Sequence, residues 1–354
     1  MGAPPAIEHP LFRNHPAWGC GCLCRFDRLG GAMKSSFGAP TRKLIWRCVS
    51  WLHHLDFAWL LPFLARLPLA WGFSLAKLRG QLNAATGRDW RSVALGFRHI
   101  RQQSLAGFRH LPVKTDESQL LAWRNARFVA EARDEFEAQL LAADRVRELH
   151  CVFTPPGASM VCAGRSRGLV LLTPHYESFC LGIAFLGRTG GVVNSMSSSV
   201  TQDPRVDPAV RRHFDNKYRG LETYLNGGRV IDMESGLRPF YRMLEQHETL
   251  VVLADAPVLP GGAAMSVNFL GGRRTLAAGA VRLAQRTGSD LGGFICAPTA
   301  TGRYELTLCQ PGPSNDPATI DRVYGFMSAA IMANPGGWWA ADLLPFMPLT
   351  EPEA

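Results

Sequence analysis

Short apolar runs that never alternate with polar residues constrain this chain more than any other feature. Gly168-Leu-Val-Leu-Leu-Thr173 and Thr249-Leu-Val-Val-Leu-Ala-Asp255 are each one strand long and show no polar face. A strand with one wet face places polar residues at every second position, so these two belong to a sheet covered on both faces. Leu291–Cys296 and Tyr304–Leu308 are further strand candidates. Helical patterns lie between them. Asp207-Pro208 reads as an N-cap with proline at the first helical position, followed by an apolar stripe of Val210, Phe214, Leu221 and Leu225. Ser235 opens a segment with Leu237, Phe240, Tyr241 and Leu244 at helical spacing. Thr275 is expected to cap a helix with Leu276, Ala280, Leu283 and Ala284 inward, ended by Gly288. Strands alternating with helices predict an α/β fold, which places sites at the carboxyl ends of its strands.

The first third of the chain has a different texture. Residues 1–100 hold 13 Lys+Arg and 4 Asp+Glu, whereas residues 101–354 hold 25 of each, so the whole net charge of +9 sits at the front. A balanced main domain argues against a nucleic-acid groove there. Residues 57–76 form a nearly continuous apolar run of spanning length, but Arg66 falls at its midpoint and Pro62 and Pro68 interrupt it. A charge at that depth costs at least roughly 2.5–3.5 kcal/mol. Flanking Arg42, Lys43, Arg47, Lys77 and Arg79 suit an anionic membrane surface, and Trp46, Trp51, Trp59 and Trp71 suit the headgroup region. Residues 33–83 therefore read as a membrane-interfacial helical segment rather than a span. The alternative is a helix packed on the domain with its tryptophans inside.

Residues 1–32 are polar and turn-rich, with no apolar core of a signal peptide, and read as flexible or preceding a true start at Met33. Cys20, Cys22 and Cys24 have no second ligand pair at zinc spacing, so no metal is expected. The remainder, 84–350, reads as one α/β domain. Within it, Leu95-Gly-Phe-Arg-His99 and Ala106-Gly-Phe-Arg-His110 lie eleven residues apart, about three helical turns, and share a helix face. Thr115–Ala143 reads as a helix with Leu120, Ala122, Phe128, Ala132, Phe136 and Leu140 inward and its charges in water.

The chemistry points to one place. The run Leu169–Leu172 ends in Thr173-Pro174-His175-Tyr176-Glu177-Ser178-Phe179-Cys180. A histidine just past a buried strand, at a helix entrance, keeps one ring nitrogen available as a base. Glu177 is the only acid between residues 149 and 202, and a carboxylate beside the imidazole would orient it. Asp255, ending the neighbouring strand candidate, is the other possible partner. Gly164-Arg-Ser-Arg-Gly168 formally matches a nucleophile elbow, but it leads into a strand rather than out of one and reads as a turn. Gly261-Gly262 and Gly271-Gly272 lack the Lys-Ser/Thr of a phosphate loop and bracket a hairpin or lid.

From about 168 to 310 the chain resembles the lysophospholipid acyltransferase superfamily, within it the lipid A late acyltransferase (lauroyl/myristoyl acyltransferase) branch. The matching pieces are Gly168–His175, the 211–219 helix with Gly228-Arg-Val-Ile231, Leu250–Asp255, Phe269-Leu-Gly-Gly-Arg-Arg-Thr275, Arg286-Thr287-Gly288 and Gly302-Arg-Tyr-Glu-Leu306. The resemblance implies a glycerolipid-acyltransferase-like fold: a mixed, largely parallel sheet covered by helices, with the basic apolar segment in front. It implies acyl transfer from an acyl-carrier-protein or acyl-CoA thioester to a hydroxyl of a membrane-associated (glyco)lipid, with no other cofactor, at the cytoplasmic face of a bacterial inner membrane, held peripherally or by one N-terminal anchor. His175 would be the general base. The family signature H-x-x-x-x-[DE] is broken here, because Cys180 stands where the acid belongs. Glu177 would then orient His175; Cys180 is a possible site residue, and Asp255, Arg212, Arg273 and Arg274, with Arg211, are candidates for contacting substrate, the arginines through phosphate groups. Relatives tend to carry a basic residue after the strand near Asn194–Ser199, for which Arg205 could compensate. They also end in a Trp-rich motif with an arginine; Asn334-Pro-Gly-Gly-Trp-Trp339 keeps only the tryptophans. A catalytically silent relative that binds lipid or acyl chains as an accessory protein is the alternative.

Overall fold

Strand register decides where everything else in the molecule sits. The computed structural model describes residue 48 and residues 50–92, 97–198, 206–259 and 261–350. The features expected at 1–47 and at Arg205 lie outside the described residues, as does part of the first Gly-Phe-Arg-His piece. Among the described residues are nine strands: β1 (His150–Thr154), β2 (Leu169–Thr173), β3 (Val193–Ser197), β4 (Val230–Asp232), β5 (Thr249–Leu253), β6 (Ala264–Phe269), β7 (Gly272–Ala277), β8 (Asp290–Ala300) and β9 (Arg303–Pro313). Seven form one sheet in the order β1-β9-β8-β2-β5-β3-β4. The run β8-β2-β5-β3-β4 is parallel throughout. Strands β8 and β9 are antiparallel, and β1 follows β9 in parallel, so the sheet is mixed and largely parallel.

The helices that cover it are α1 (Leu69–Thr86), α2 (Phe97–Arg109), α3 (Glu117–Ala142), α4 (Phe179–Gly187), α5 (Pro208–Glu222), α6 (Arg238–Glu245), α7 (Gly279–Thr287) and α8 (Pro317–Ala333). The all-apolar β2 has no exposed surface from Leu169 to Leu172, alternate residues packing into one of two cores on opposite sheet faces. Burying each such leucine stabilises by about 1.5–3 kcal/mol, which is why an unbroken apolar strand settles at the centre. Asp207 caps α5 by accepting from the Ala209 amide, with Pro208 at the first position.

Three sequence expectations need correction. Thr275 and Leu276 do not open a helix; they finish β7, opposite Ser266 and Met265 of β6, and α7 begins only at Gly279. The hairpin forms because Leu270 and Gly271 both adopt positive φ, the backbone of a tight two-residue turn. Helix α6 is capped at Leu237, which is exposed rather than inward, instead of at Ser235. Lastly, most of the charges of α3 are not in water. Arg127, Glu131, Asp134, Glu135 and Glu137 are all buried, because α1, α5 and the C-terminal turns cover the helix on nearly every side.

The 57–76 run folds as a helical hairpin. The chain is helical from 50 to 64, passing through a π-helical turn at Asp56–Leu60 just before Pro62, which has no N–H to donate. It then reverses, and Pro68 starts α1. Helix α1 lays Gly72, Ala76, Gly80 and Ala84 against α3. Trp51, Trp59 and Trp71 stay outside, each more than 60% exposed. Among the described residues, no helix is long and apolar enough to cross a membrane.

Candidate active site

Parallel pairing sets Thr173 of β2 opposite Leu253 of β5. His175 and Asp255 each stand two residues beyond, so the register alone brings them level at the carboxyl edge of the sheet. They meet there. The imidazole Nδ1–H donates to Asp255 Oδ1 at 2.8 Å, and the His175 backbone N–H donates to Oδ2 at 2.8 Å. The Trp338 indole N–H also donates to Oδ2, again at 2.8 Å. Asp255 has no exposed surface. Burial works against its charge, but the His175 ring, its amide and the Trp338 indole outweigh burial and hold the carboxyl below the usual carboxylate range.

A carboxylate on Nδ1 fixes the tautomer, so the lone pair sits on Nε2. Nε2 has no hydrogen-bond partner among the described residues, and the imidazole is 26% exposed, enough to be reached from outside. Phe179 and Trp339 meet the ring edge-on at 5.8 and 5.3 Å between centroids and close its sides with apolar surface.

The loop that carries His175 is clamped by the C-terminal Asn334–Trp339 segment. Trp339 N–H donates to the His175 carbonyl, Glu177 N–H donates to the Gly337 carbonyl, and Tyr176 bridges Trp338. Glu177 takes a left-handed backbone, φ 49°, which this double grip maintains. That turn sends its carboxylate away from the imidazole. It pairs with Arg133 of α3 and accepts from Asn334 Nδ2 at 2.8 Å. Gly337 is required by this contact, since a Cβ there would stand 2.2 Å from Glu177 Oε1. The place expected for Glu177, beside the ring, is thus occupied by Asp255.

The other expected residues are distributed as follows. Cys180 lies in the first turn of α4, buried, with its thiol pushed up to about 12 by burial despite nearby Lys217. The Lys217 ammonium pairs with Asp134 at 2.6 Å and lies over the Phe179 ring. Arg212 is exposed on α5. Arg273 is exposed on β7 and leans on Ser266. Arg274 is buried and donates to the Met347 carbonyl at 2.9 Å and the His110 carbonyl at 3.4 Å, so it ties the hairpin to two other segments. Two amides at the α4 entrance, Glu177 and Ser178, already donate to the Gly337 and Cys296 carbonyls. Among the described residues no cluster could hold a metal ion.

Three residues around the site went unrecognised in the sequence, and Trp338 was noted only as part of the Trp-rich Asn334–Trp339 motif. Arg133 holds Glu177, and Arg127 donates to the Trp339 carbonyl while pairing with Asp89 and Glu131. Glu137 accepts from the hydroxyls of Ser178 and Tyr304, both at 2.9 Å. Trp338 donates to Asp255. Arg127/Glu131 and Arg133/Glu137 are spaced i, i+4, the same spacing that solvated helix pairs use, so nothing local distinguished them. The family model for bacterial lipid A biosynthesis acyltransferases matches residues 163–339, which run from the turn before β2 through His175 and Asp255 to Trp339. The chain belongs to that family. A comparison with curated proteins finds no match. The family is one of acyltransferases, enzymes that transfer acyl groups to lipid acceptors. The whole His175–Asp255–Trp338 cluster falls inside the matched residues.

Proposed function

We propose that this acyltransferase moves a fatty acyl group from an acyl-carrier-protein or coenzyme A thioester to a hydroxyl of a membrane-associated (glyco)lipid, with His175 as general base and Asp255 as its positioning partner. The observation that carries this reading is the Asp255 carboxylate on Nδ1, which leaves Nε2 basic and open. The acceptor O–H gives its proton to Nε2 as its oxygen attacks the thioester carbonyl carbon. Asp255 stabilises the imidazolium so formed. Collapse of the tetrahedral intermediate breaks the C–S bond, and the imidazolium returns the proton to the departing thiolate, leaving an ester and a free thiol. The apolar edges of Phe179 and Trp339 keep water from competing with the acceptor.

Asp255 supplies the acid that the H-x-x-x-x-[DE] signature lacks at Cys180, so the accessory-protein alternative loses its main support. Glu177 acts through the loop rather than on the ring. Exposed Arg212 and Arg273 remain candidates for phosphate groups of donor or acceptor, whereas Arg274 serves the fold. The cationic helical hairpin would seat the enzyme peripherally on an anionic membrane surface, at the cytoplasmic face of the inner membrane. Substituting His175→Ala tests the reading: transfer of labelled acyl groups from a thioester to total membrane lipid should fall by about 10²–10⁴-fold with the fold intact. Unchanged turnover would refute the mechanism, and a wild-type protein that binds acyl chains without turnover would favour the accessory role.

A further inference from the structure

Helix α1 has a second face. While Gly72, Ala76 and Gly80 pack on α3, Leu75, Leu78 and Leu82 point the other way, and Leu52, Leu60 and Phe63 of the 50–64 helix stand opposite. Together they line an open groove of about 590 Å³. Asn83, Thr86 and Arg88 line it toward the C-terminal end of α1. The stretch from Leu75 to Thr86 is about 16 Å long at helical rise. Ligand pockets run from about 300 to 1,000 Å³, so the groove has room for a chain-shaped ligand. It shares no lining residue with the site around His175.

The surroundings identify the occupant. Trp51, Trp59 and Trp71 are exposed on the same hairpin, amphipathic rings that no described residue covers. Arg66 and Lys77 are exposed and make no ion pair among the described residues. Asp56 is the only acid from 50 to 86, and it is buried beneath Arg79 and Arg88. The hairpin therefore presents positive charge, aromatic rings and an apolar trough with no exposed carboxylate. That combination is complementary to an anionic lipid: phosphate for the cations, headgroup level for the tryptophans, hydrocarbon for the trough.

We propose that the groove holds one acyl chain of an anionic bilayer lipid, a lipid-binding site separate from the catalytic one. It deepens the membrane-surface reading above and rests on it. Full-length protein is tested by sedimentation with phosphatidylcholine vesicles containing phosphatidylglycerol. It is then titrated with lauroyl-lysophosphatidylglycerol below its micelle concentration, with occupancy read by native mass spectrometry. Wild type is expected to do both. Thr86→Trp, which fills the groove from an exposed position, should lower lysolipid occupancy by about tenfold while still sedimenting. Leu82→Trp is the second filling variant, and circular dichroism verifies both folds. Trp59→Ala combined with Trp71→Ala should weaken sedimentation and keep occupancy. Wild type that sediments without binding lysolipid, or filling variants that bind as wild type does, overturns the groove assignment. Failure of wild type to sediment overturns the membrane reading beneath it.

Discussion

A histidine becomes a base at neutral pH when one nitrogen is occupied by a fixed acceptor and the other is left facing the substrate. His175 meets that condition through Asp255, which in turn is held by the Trp338 indole. Cys180, five residues on, does not compete with it. A thiol pushed up to about 12 has essentially no thiolate near neutral pH, so it is neither nucleophile nor base. Cys180→Ser should keep turnover within about threefold of wild type, and a thiol-reactive reagent should leave activity unchanged in a continuous assay. His175 was legible as the candidate base from the sequence because an all-apolar strand must end at the sheet edge, and His175 stands two residues past it. Its partner was legible only as one of two acids. Glu177 is nearer in sequence, but its left-handed backbone turns its carboxylate toward α3, and nothing in a Tyr-Glu-Ser tripeptide announces that.

At the scale of elements, α3 is the spine on which the His175 loop, the α1 hairpin and the C-terminal segment converge. Arg127 has no exposed surface and links Asp89 of the post-α1 loop, Glu131 of its own helix and the carbonyl of Trp339. Removing one partner of a buried ionic cluster leaves the others desolvated and unpaired. Arg127→Ala should therefore cost about 3–5 kcal/mol of stability, read from the denaturant midpoint at unchanged m-value. A loss under about 1 kcal/mol would mean the cluster is better hydrated than its burial implies. The apolar stripe of α3 was readable by period apart from Ala122, which is exposed, and so were the cap and stripe of α5. Burial of the α3 charges was not, because period reports which face is apolar and not how many neighbours cover the flanks. The same limit explains the β6–β7 hairpin: Thr275 is a good helix cap taken alone, but cross-strand pairing with Ser266 claims it first.

At the scale of the whole molecule, two buried histidines among the described residues, His53 and His213, sit at the seam between the N-terminal hairpin and the domain. His53 and His213 of α5 each meet Phe57 edge-on, at 6.2 and 5.1 Å between ring centroids. Burial holds them down to about 4 and about 3, so both are neutral in the folded state at pH 5. The unfolded chain binds these protons near pH 6.5, while the folded chain takes them only several units lower. Their stabilisation is therefore complete above about pH 6.5 and is lost as pH falls toward 4, through protonation of the unfolded state. Urea midpoints measured from pH 7 to pH 4.5 should decline, and His53→Leu should flatten part of that decline. An equally steep profile in the variant would remove His53 from the seam's acid response. The α/β class and the break-up of the 57–76 run were accessible from apolar run lengths and proline positions, whereas the mixed, largely parallel sheet was implied only by the family resemblance. The way the hairpin rides on α3 depends on small residues such as Gly80 meeting Val129, a contact between segments roughly fifty residues apart that no local pattern encodes.

Acyl transfer hinges on which carboxylate governs the base, and one kinetic comparison decides it: kcat for thiol release from an acyl thioester with lipid acceptor, measured for Asp255→Asn and Glu177→Gln side by side. Asparagine keeps the shape but cannot stabilise the imidazolium by charge, so Asp255→Asn should lose about 10²–10⁴-fold in kcat at neutral pH, with KM and melting temperature little changed. Glu177→Gln should lose far less in kcat and should instead lower the melting temperature, because it loosens the Arg133 tie. The reverse ranking, with Glu177→Gln crippled and Asp255→Asn turning over like wild type, would contradict the assignment of the His175–Asp255 pair as the proton-transfer centre.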